Sequence, residues 1–189
     1  MKKNNRILIA THNTGKLEEF KVFLAPFFED VISLDAFDDR DNVIEDKDTF
    51  EGNAIKKATY YYKKYHIPTL ADDSGLEVEA LHGYPGIYSA RIGMDDQTRN
   101  QKIIKMLEGI DNRKACMKTV IAYVNDKTDV FEGVMCGVIT QKQIGKQGFG
   151  YDSIFLIESL NQTFGQLSQK QKLKYSHRGK ALKQFIESL

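Results

Sequence analysis

The N-terminal part of the chain alternates between apolar runs and helical patterns, and this alternation limits the fold more than any other feature. Residues 7–10, Ile-Leu-Ile-Ala, form a continuous apolar run, which is typical of a buried strand. A polar turn over 11–15 follows, and apolar residues then recur at helical spacing over 17–27. A second apolar run at 31–34 and a second helical stripe over 54–65 repeat this order. The pattern of strand, helix, strand and helix predicts an α/β fold.

The remainder of the chain continues the mixed pattern without an internal repeat or a linker. We therefore expect residues 1–189 to form one two-lobed domain, an α/β fold with an elongated mixed sheet, flanking helices and a central cleft between the lobes. The further predicted elements are a strand, an acidic turn and a strand over 69–78, a helix over 103–110, a hairpin of 119–124 and 130–139, a strand at 154–157, and a final helix with Leu182, Phe185, Ile186 and Leu189 facing inward.

The charge balance excludes a general affinity for polyanions. The chain has 27 Lys and Arg against 26 Asp and Glu, so its net charge of +1 creates no overall field that would attract nucleic acid or an anionic membrane. No window approaches the ~20 apolar residues that a membrane span needs. The apolar run after the basic N-terminus is too short for a secretory signal. We expect a cytoplasmic protein with no nucleic-acid or membrane partner.

Cys116 and Cys136 both lie in apolar, strand-like runs. Two cysteines cannot make a disulfide framework or a zinc site by themselves. The predicted hairpin would place them nearly opposite each other, but a reducing cytosol disfavours a disulfide. We therefore expect two free cysteines that act as small buried apolar residues.

The turn after the first strand is one candidate for chemistry. Residues 11–16, Thr-His-Asn-Thr-Gly-Lys, lie between a predicted strand and a predicted helix. Backbone N–H groups at a helix N-terminus suit a phosphate, and Lys16 could neutralise its charge. The Walker A pattern is absent. An ordinary strand-to-helix turn capped by Thr or Asn explains the same residues equally well.

Two acidic segments are candidates for a metal site. Asp72-Asp73-Ser74-Gly75 places two carboxylates side by side, and these repel unless a cation, a proton or hydrogen bonds compensate them. Mg²⁺ prefers such oxygen ligands and binds substrate phosphates as well. Taken alone, however, this segment favours a plain acidic turn. The second segment, Glu45-Asp46 before Lys56 and Lys57, is by itself more typical of a solvated face.

Two later segments could bind a planar, polar ligand. In 148–152, Gly-Phe-Gly-Tyr-Asp, two glycines let the backbone approach a ligand while an aromatic ring stacks on a base. A loop with an aromatic residue anchored in the core is the equal alternative. Lys172 and the segment 176–179, Ser-His-Arg-Gly, offer donors for purine or phosphate oxygens. A basic approach to a surface helix would give the same residues.

Taken together and in this order, the segments resemble the inosine triphosphate pyrophosphatase family, whose substrates are non-canonical purine nucleoside triphosphates. The matching segments cover nearly the whole chain, and several are too long for chance agreement. They are Thr11-x-Asn13-x-x-Lys16, Thr49-Phe50-x-x-Asn53-Ala54 through Lys57-Ala58, Ala71-Asp72-Asp73-Ser74-Gly75-Leu76, Gly83-x-Pro85-Gly86-Ile87-Tyr88-Ser89-Ala90-Arg91, Gly148-Phe149-Gly150-Tyr151-Asp152, and Ser176-His177-Arg178-Gly179-x-Ala181-Leu182.

The resemblance implies hydrolysis of ITP, dITP and XTP to the monophosphate and pyrophosphate, with Mg²⁺ as cofactor, by a homodimer. It implies that Asp73 is the general base and that Lys57 acts at the phosphates. The implied metal ligands are Glu45, Asp72 and Asp73. The residues implied to bind substrate are Thr11, His12, Asn13, Thr14, Gly15 and Lys16 at the triphosphate, Ser74, and, on the side of the base and ribose, Phe149, Gly150, Tyr151, Asp152, Lys172, His177 and Arg178.

Two departures from the family pattern affect details. Glu45 is preceded by Ile44 and followed by Asp46, where relatives commonly carry paired acidic residues, so this departure affects the exact metal ligands and not the reaction class. Ser153 follows Asp152, where proline is usual, and we expect little functional effect.

Base selectivity and the rival functions remain open at this point. Donors such as Lys172 and Arg178 satisfy a 6-keto oxygen but would meet a second donor in adenine, which favours hypoxanthine and xanthine. The alternatives are a related pyrophosphatase with another base preference and a nucleotide-binding sensor without hydrolysis. A nucleic-acid-binding module is a more distant third, since it would need a local basic patch.

Overall fold

A computed structural model describes residues 4–189 of the chain, and it contains a mixed sheet with helices. The α/β prediction is therefore confirmed. The strands are β1 (Asn4–Ile9), β2 (Phe28–Ser33), β3 (Thr69–Val78), β4 (Lys114–Val124), β5 (Thr128–Ile139), β6 (Phe155–Ile157) and β7 (Gln162–Thr163). The helices are α1 (Thr14–Leu24), α2 (Phe50–Tyr65), α3 (Asp96–Met106), α4 (Gln169–Tyr175) and α5 (His177–Glu187), and short 3₁₀ turns connect several of these elements.

The seven strands follow the order β2-β1-β3-β4-β5-β6-β7. β1 runs parallel to β2 and to β3, whereas β6 is antiparallel to both β5 and β7. The chain divides into two compact units. Among the described residues, the first unit consists of 4–73, 119–133 and 178–189, and the second of 74–118 and 134–177. Across residues 4–189, every helix is too short or too polar to cross a bilayer.

The core of the first unit forms where α1 and α5 pack on β1. Ile7, Leu8 and Ile9 are fully buried, as expected of a strand that is covered on both faces. α1 ends at Leu24, two residues before Pro26 and earlier than the apolar spacing predicts, because proline cannot continue the helical hydrogen bonding. Further members of this core are Leu17, Phe20, Phe28, Leu70, Ile121, Tyr123, Ala181, Leu182 and Phe185.

The second unit has its own core, in which the inward faces of β3, β4 and β6 meet α3. α3 begins at Asp96, earlier than the predicted helix over 103–110, because the side chain of Asp95 accepts a hydrogen bond from the N–H of Thr98 and so caps the helix. α4 was not predicted, although Ser168 and Gln171 form a capping box at its start. The largest buried side chains of this core include Leu76, Ile103, Leu107, Phe155 and Phe164.

The predicted acidic turn between two short strands is wrong, because β3 runs without interruption from Thr69 to Val78. Asp72 and Asp73 lie inside this strand and are almost fully buried. Isolated carboxylates would be costly there, but each of these two has hydrogen-bonding or charged partners within the first unit. Because these partners compensate both carboxylates, the chain does not have to expose them in a turn, and the strand continues through them.

The prediction of two free, buried cysteines is also wrong. Cys116 on β4 and Cys136 on β5 form a disulfide with Cα atoms 4.0 Å apart. The strands are neighbours in the sheet, so the two side chains share one face. Cys116 is half-buried and Cys136 is exposed, so neither side chain is part of an apolar core.

Reducing this disulfide is expected to lower the free energy of unfolding by roughly 3 kcal/mol, because the bond closes a loop of about 20 residues in the unfolded chain. Urea unfolding with and without dithiothreitol measures the difference. The double variant C116S/C136S should match the reduced protein and should not respond to the reductant. An unchanged midpoint on reduction would contradict the prediction.

Candidate active site

The turn between β1 and α1 is held by side-chain caps at the start of the helix. The side chain of Asn13 caps α1 by accepting a hydrogen bond from the N–H of Lys16 at 2.9 Å, and the hydroxyl of Thr11 accepts one from the N–H of Asn13 at 3.2 Å. Helix N-terminal N–H groups favour anions. A ring nitrogen of His12 lies 2.8 Å from the carbonyl oxygen of Asp41, which connects this turn to the segment after β2.

Asp72 is the most enclosed carboxylate of the first unit. Its Oδ2 atom lies 3.1 Å from Nζ of Lys16, 3.0 Å from Nη2 of Arg178 and 3.3 Å from the hydroxyl of Thr119. Burial raises the pKa of Asp72, but the charges of Lys16, Arg178 and Lys57 outweigh this effect and hold the pKa well below its ordinary value. Asp72 is therefore ionised at neutral pH.

Arg178 joins α5 to α1 through a second buried carboxylate. Its guanidinium donates to Glu19 on α1 as well as to Asp72, and all three side chains are at most 2% exposed. Burial alone would lower the pKa of Arg178, but the two carboxylates raise it above its ordinary value. Removing one member of such a group would leave an uncompensated buried charge.

Lys16 is held in a position from which it can meet an anion. Its side chain is 17% exposed and contacts Asp72. Burial, together with the charges of Lys57 and Arg178, lowers the pKa of Lys16, and Asp72 partly opposes that change. A lysine surrounded by other cations favours an additional negative charge, as a phosphate would provide.

Asp73 has a different environment from its neighbour. Its Oδ2 atom accepts a hydrogen bond from Nδ2 of Asn53 at 2.9 Å. Burial raises the pKa of Asp73, and the negative charge of Glu45 raises it further, while Lys57 and the Asn53 hydrogen bond act in the opposite direction. The net change is upward, which suits a group that takes up a proton.

Lys57 and Glu45 form an ion pair beside these two aspartates. Nζ of Lys57 donates to Glu45 and also to the carbonyl oxygen of Asp72, at 2.6 Å in the second case. Burial raises the pKa of Glu45, but Lys57 outweighs this effect and the pKa is lowered. The structure thus brings Glu45, Lys57, Asp72 and Asp73 together within the first unit.

The carboxylates of this group provide the hard oxygen donors that Mg²⁺ prefers. Within residues 4–189, no three His, Cys, Asp or Glu side chains are arranged as a ready-made metal site. The Oδ1 atom of Asp72 is nevertheless buried without a hydrogen-bond partner. A buried acceptor of this kind commonly marks a place for a water molecule or an ion. The donor set is of the kind that Mg²⁺ takes, although Asp72 is paired with Lys16 and Glu45 with Lys57, and Asp73 accepts a hydrogen bond from Asn53.

The acidic segment that carries Glu45 begins at an anchored position. Asp39 is 6% exposed, and its carboxylate accepts hydrogen bonds from Tyr65 and Lys64, the latter at 2.9 Å. Lys64 also contacts the carboxylate of Asp41 at 2.6 Å. Burial raises the pKa of Asp39, but the bonds from Tyr65 and Lys64 outweigh it and lower the pKa to about 2.

Because the folded-state pKa of Asp39 is lowered, the stabilisation by its carboxylate is present above pH 4 and is lost as pH falls through about 4 toward 2. The variant D39N should therefore be less stable than wild type at neutral pH, and the difference should narrow in acid. Urea unfolding of both proteins at a series of pH values measures this. A difference that stays constant down to about pH 3 would show that the charge of Asp39 is not responsible.

In the second unit, the segment 148–152 forms a tight loop closed by its own carboxylate. Asp152 accepts a hydrogen bond from the N–H of Phe149 at 2.8 Å and from Nζ of Lys172 at 2.5 Å. Nζ of Lys172 also lies 4.3 Å from the ring centroid of Phe149. Gly148 has φ of +75°, and a Cβ atom there would lie 2.0 Å from the carboxylate of Asp152. Only glycine allows this loop to close.

The two aromatic rings of this loop differ in exposure. Tyr151 is 5% exposed and its hydroxyl donates to the carbonyl oxygen of Ser89 at 2.7 Å, so it anchors the loop in the core. Phe149 is only half-buried and is the ring that could stack on a base. The backbone N–H of Gly150 donates to Asp96 at 2.6 Å. Of the other candidates in the second unit, His177 is buried and Ser74 is half-buried.

Three side chains of the first unit's group were not identified from the sequence as functional candidates. Glu19, Asn53 and Thr119 are all at most 2% exposed and contact Arg178, Asp73 and Asp72, respectively. Of the three, Asn53 had a signal in the sequence, because it belongs to the segment Thr49-Phe50-x-x-Asn53-Ala54 that carries the family resemblance. Glu19 resembles any charged residue of a surface helix until α5 is placed against it.

Comparisons with known proteins agree with this fold. A sequence model described as the Ham1 family matches residues 7–188. A dITP/XTP pyrophosphatase from Desulforamulus reducens is 42% identical over 191 residues, covering 97% of this chain and 95% of that protein. One from Staphylococcus epidermidis is 40% identical and covers 96% of each chain.

Solved structures show the same relationship. The Staphylococcus aureus Ham1 protein has 40% sequence identity and a TM-score of 0.84, with 97% of this chain and 98% of that chain covered. A HAM1 protein from Coxiella burnetii has 36% identity and the same TM-score, with 95% of each chain covered. The fold and the buried carboxylate–cation group define an α/β protein with a cluster of buried charges in its first unit. The chain belongs to the Ham1 family.

Proposed function

We propose that this chain hydrolyses the non-canonical purine nucleoside triphosphates dITP, XTP and ITP to the monophosphate and pyrophosphate, and so cleanses the nucleotide pool. The observation that carries the proposal is the pair of consecutive buried carboxylates, Asp72 and Asp73, placed beside Lys16 and Lys57. Membership in the Ham1 family supports it, since the two relatives described above are named dITP/XTP pyrophosphatases.

In the proposed reaction, water attacks the α-phosphorus and pyrophosphate leaves. Asp73 orients the water and accepts its proton, a role that its raised pKa supports. The N–H groups at the start of α1 and the ammonium group of Lys16 receive phosphate oxygens. Lys57 holds Glu45 and the backbone at Asp72 and adds positive charge where the leaving group becomes more negative.

We propose that Mg²⁺ is the cofactor and that Glu45 and Asp73 hold it, with Asp72 beside them. The bound ion would neutralise phosphate charge and act as a Lewis acid. For a carboxylate to bind the ion, Glu45 must give up part of its contact with Lys57, which then becomes available to phosphate. Pyrophosphate release should therefore require Mg²⁺ and should be abolished by a chelator.

On the side of the base, we propose that Phe149 stacks on the purine and that Lys172 donates to a 6-keto oxygen. The carboxylate of Asp152 holds Lys172 in place. A donor at this position is satisfied by hypoxanthine or xanthine and meets a second donor in adenine. Arg178 was expected to share this role, but its contacts with Glu19 and Asp72 support a role in holding Asp72, which in turn contacts Lys16.

The test is pyrophosphate release from ITP, dITP, XTP, GTP and ATP, with and without Mg²⁺. Fast, metal-dependent release from the first three with slow turnover of GTP and ATP is the expected result. A different ranking would make the protein a pyrophosphatase of another base preference. Orthophosphate as the primary product would exclude attack at the α-phosphorus, and ITP binding without any product would identify a sensor.

We also propose that the protein is a homodimer in the cytoplasm and that neither nucleic acid nor membranes are its partners. The family resemblance supports the dimer. Light scattering should give twice the chain mass of 21.6 kDa. Cell fractionation tests the location, and the absence of salt-dependent binding to DNA or RNA tests the exclusion of nucleic acid.

A further inference from the structure

The carboxamide of Asn53 connects the acidic segment to Asp73. Asn53 is 1% exposed, in the first turn of α2. Its Oδ1 atom accepts a hydrogen bond from the N–H of Lys47 at 2.9 Å, and its Nδ2 atom lies 3.4 Å from the carbonyl oxygen of Lys47. The same Nδ2 atom donates its other proton to Oδ2 of Asp73 at 2.9 Å. One amide therefore binds the backbone two residues after Glu45 and a carboxylate of β3.

No other side chain of this size can make the same three contacts. An aspartate at this position would keep the acceptor for Lys47 but would have no proton for either the carbonyl oxygen or Asp73. Glutamine has one methylene group more, which a fully enclosed position cannot accommodate without displacement. Because both ends of the amide are used, its orientation is fixed.

A neighbouring residue shows that the acidic segment approaches α2 closely. A Cβ atom on Gly52 would lie 2.9 Å from Cβ of Lys47 and 3.1 Å from the hydroxyl of Thr49. Only glycine therefore lets the backbone at Lys47 come within reach of Asn53. The close approach at Gly52 and the hydrogen bonds of the Asn53 carboxamide both restrain the segment that contains Lys47.

We propose that Asn53 is a positioning residue that fixes the carboxylate of Asp73 relative to the segment carrying Glu45. This inference rests on the proposed function, in which Asp73 is the general base. A base must lie within hydrogen-bond reach of its water, and small displacements of reacting groups reduce the rate strongly. Asn53 supplies this restraint through one donated hydrogen bond and does not itself contact the reacting atoms.

The kinetic test compares N53D with N53A, using pyrophosphate release from ITP. N53D retains the acceptor for the Lys47 N–H, whereas N53A loses all three contacts. If the donor to Asp73 is what matters, both variants lose about 10- to 100-fold in kcat, with KM for ITP changed much less. N125D is the matched control, because Asn125 also accepts a backbone N–H through Oδ1, from Lys127 at 2.8 Å, and it should be unaffected. Wild-type kcat in N53D would overturn the proposal.

A stability measurement separates this inference from the proposed function. N53D should lower the urea midpoint, because it removes the donor and sets two carboxylates against each other, whereas D73N keeps an amide oxygen that can still accept from Asn53 and should change the midpoint little. The double variant N53D/D73N exchanges donor and acceptor and should recover most of that loss while remaining inactive. Strictly additive losses would mean that the contact carries no coupling and would overturn the proposal. A wild-type protein that releases no pyrophosphate would instead refute the proposed function, and the cycle would still decide whether Asn53 restrains Asp73.

Discussion

Replacing Asp73 by asparagine is expected to reduce kcat for pyrophosphate release from ITP by about 10²- to 10⁴-fold, the usual contribution of a positioned general base. The substitution keeps the shape of the side chain and removes the proton acceptor. Burial and Glu45 both raise the pKa of Asp73, so in the wild-type protein its carboxylate takes up a proton more readily than an exposed aspartate would. Steady-state kinetics with excess Mg²⁺ measures the effect, and KM should change much less than kcat.

The control for this prediction is D129N, which makes the same chemical change at an exposed position of β5. It should retain wild-type kcat. Circular dichroism and urea unfolding should show that D73N remains folded, since loss of the fold would also abolish turnover. A folded D73N protein with near-normal turnover would exclude Asp73 as the base.

Replacing Arg178 by methionine is expected to lower the free energy of unfolding by about 3–5 kcal/mol, the usual cost of removing one partner from a buried ion pair. The guanidinium binds both Glu19 and Asp72, and all three groups are almost fully enclosed. Methionine fills part of the same volume but compensates neither carboxylate. Urea unfolding at neutral pH measures the loss, and R178M should also lose activity through displacement of Asp72.

An exposed arginine provides the comparison. Arg6 pairs with Asp30 at 3.6 Å, with both side chains more than half exposed, so R6A should change the free energy of unfolding by about 1 kcal/mol or less. Adding E19Q to R178M should recover part of the loss, because an uncompensated buried charge disappears. An R178M protein as stable as R6A would show that the buried group contributes little to folding.

Much of the fold could be predicted because its elements follow from local chemistry. The apolar run at 7–10, the stripe of α2 and the hairpin of β4 and β5 each need only periodicity and a turn. The strand β3 could not be predicted as continuous, because the partners that compensate Asp72 and Asp73 come from distant parts of the chain. The disulfide was not predicted, although the hairpin places Cys116 and Cys136 opposite each other, because a reducing cytosol was expected to keep both thiols free.

The candidate site likewise contains some residues that the sequence could identify and others that depend on distant parts of the chain. Lys16, Lys57 and the two aspartates could be selected from the sequence through the family resemblance, and the structure brings them together within one unit. Glu19 and Thr119 could not, because a charged helical residue and a strand threonine have no distinguishing local pattern. Their roles appear only when α1, β4 and α5 are placed around β3. Long-range compensation of charge is not encoded in any short motif.

The uninterrupted path of β3 has a consequence for its two acidic residues. Neighbouring side chains on an extended strand point to opposite faces, so Asp72 and Asp73 are separated by the pleat itself. One carboxylate is surrounded by cations and has a lowered pKa, while the next has a raised pKa. Deleting a single residue upstream in this strand would turn both carboxylates to the opposite face, so that Asp73 would take the place of Asp72 and Ser74 the place of Asp73. The division between a permanently charged group and a proton acceptor thus depends on strand register, and β3 should tolerate side-chain changes far better than insertions or deletions.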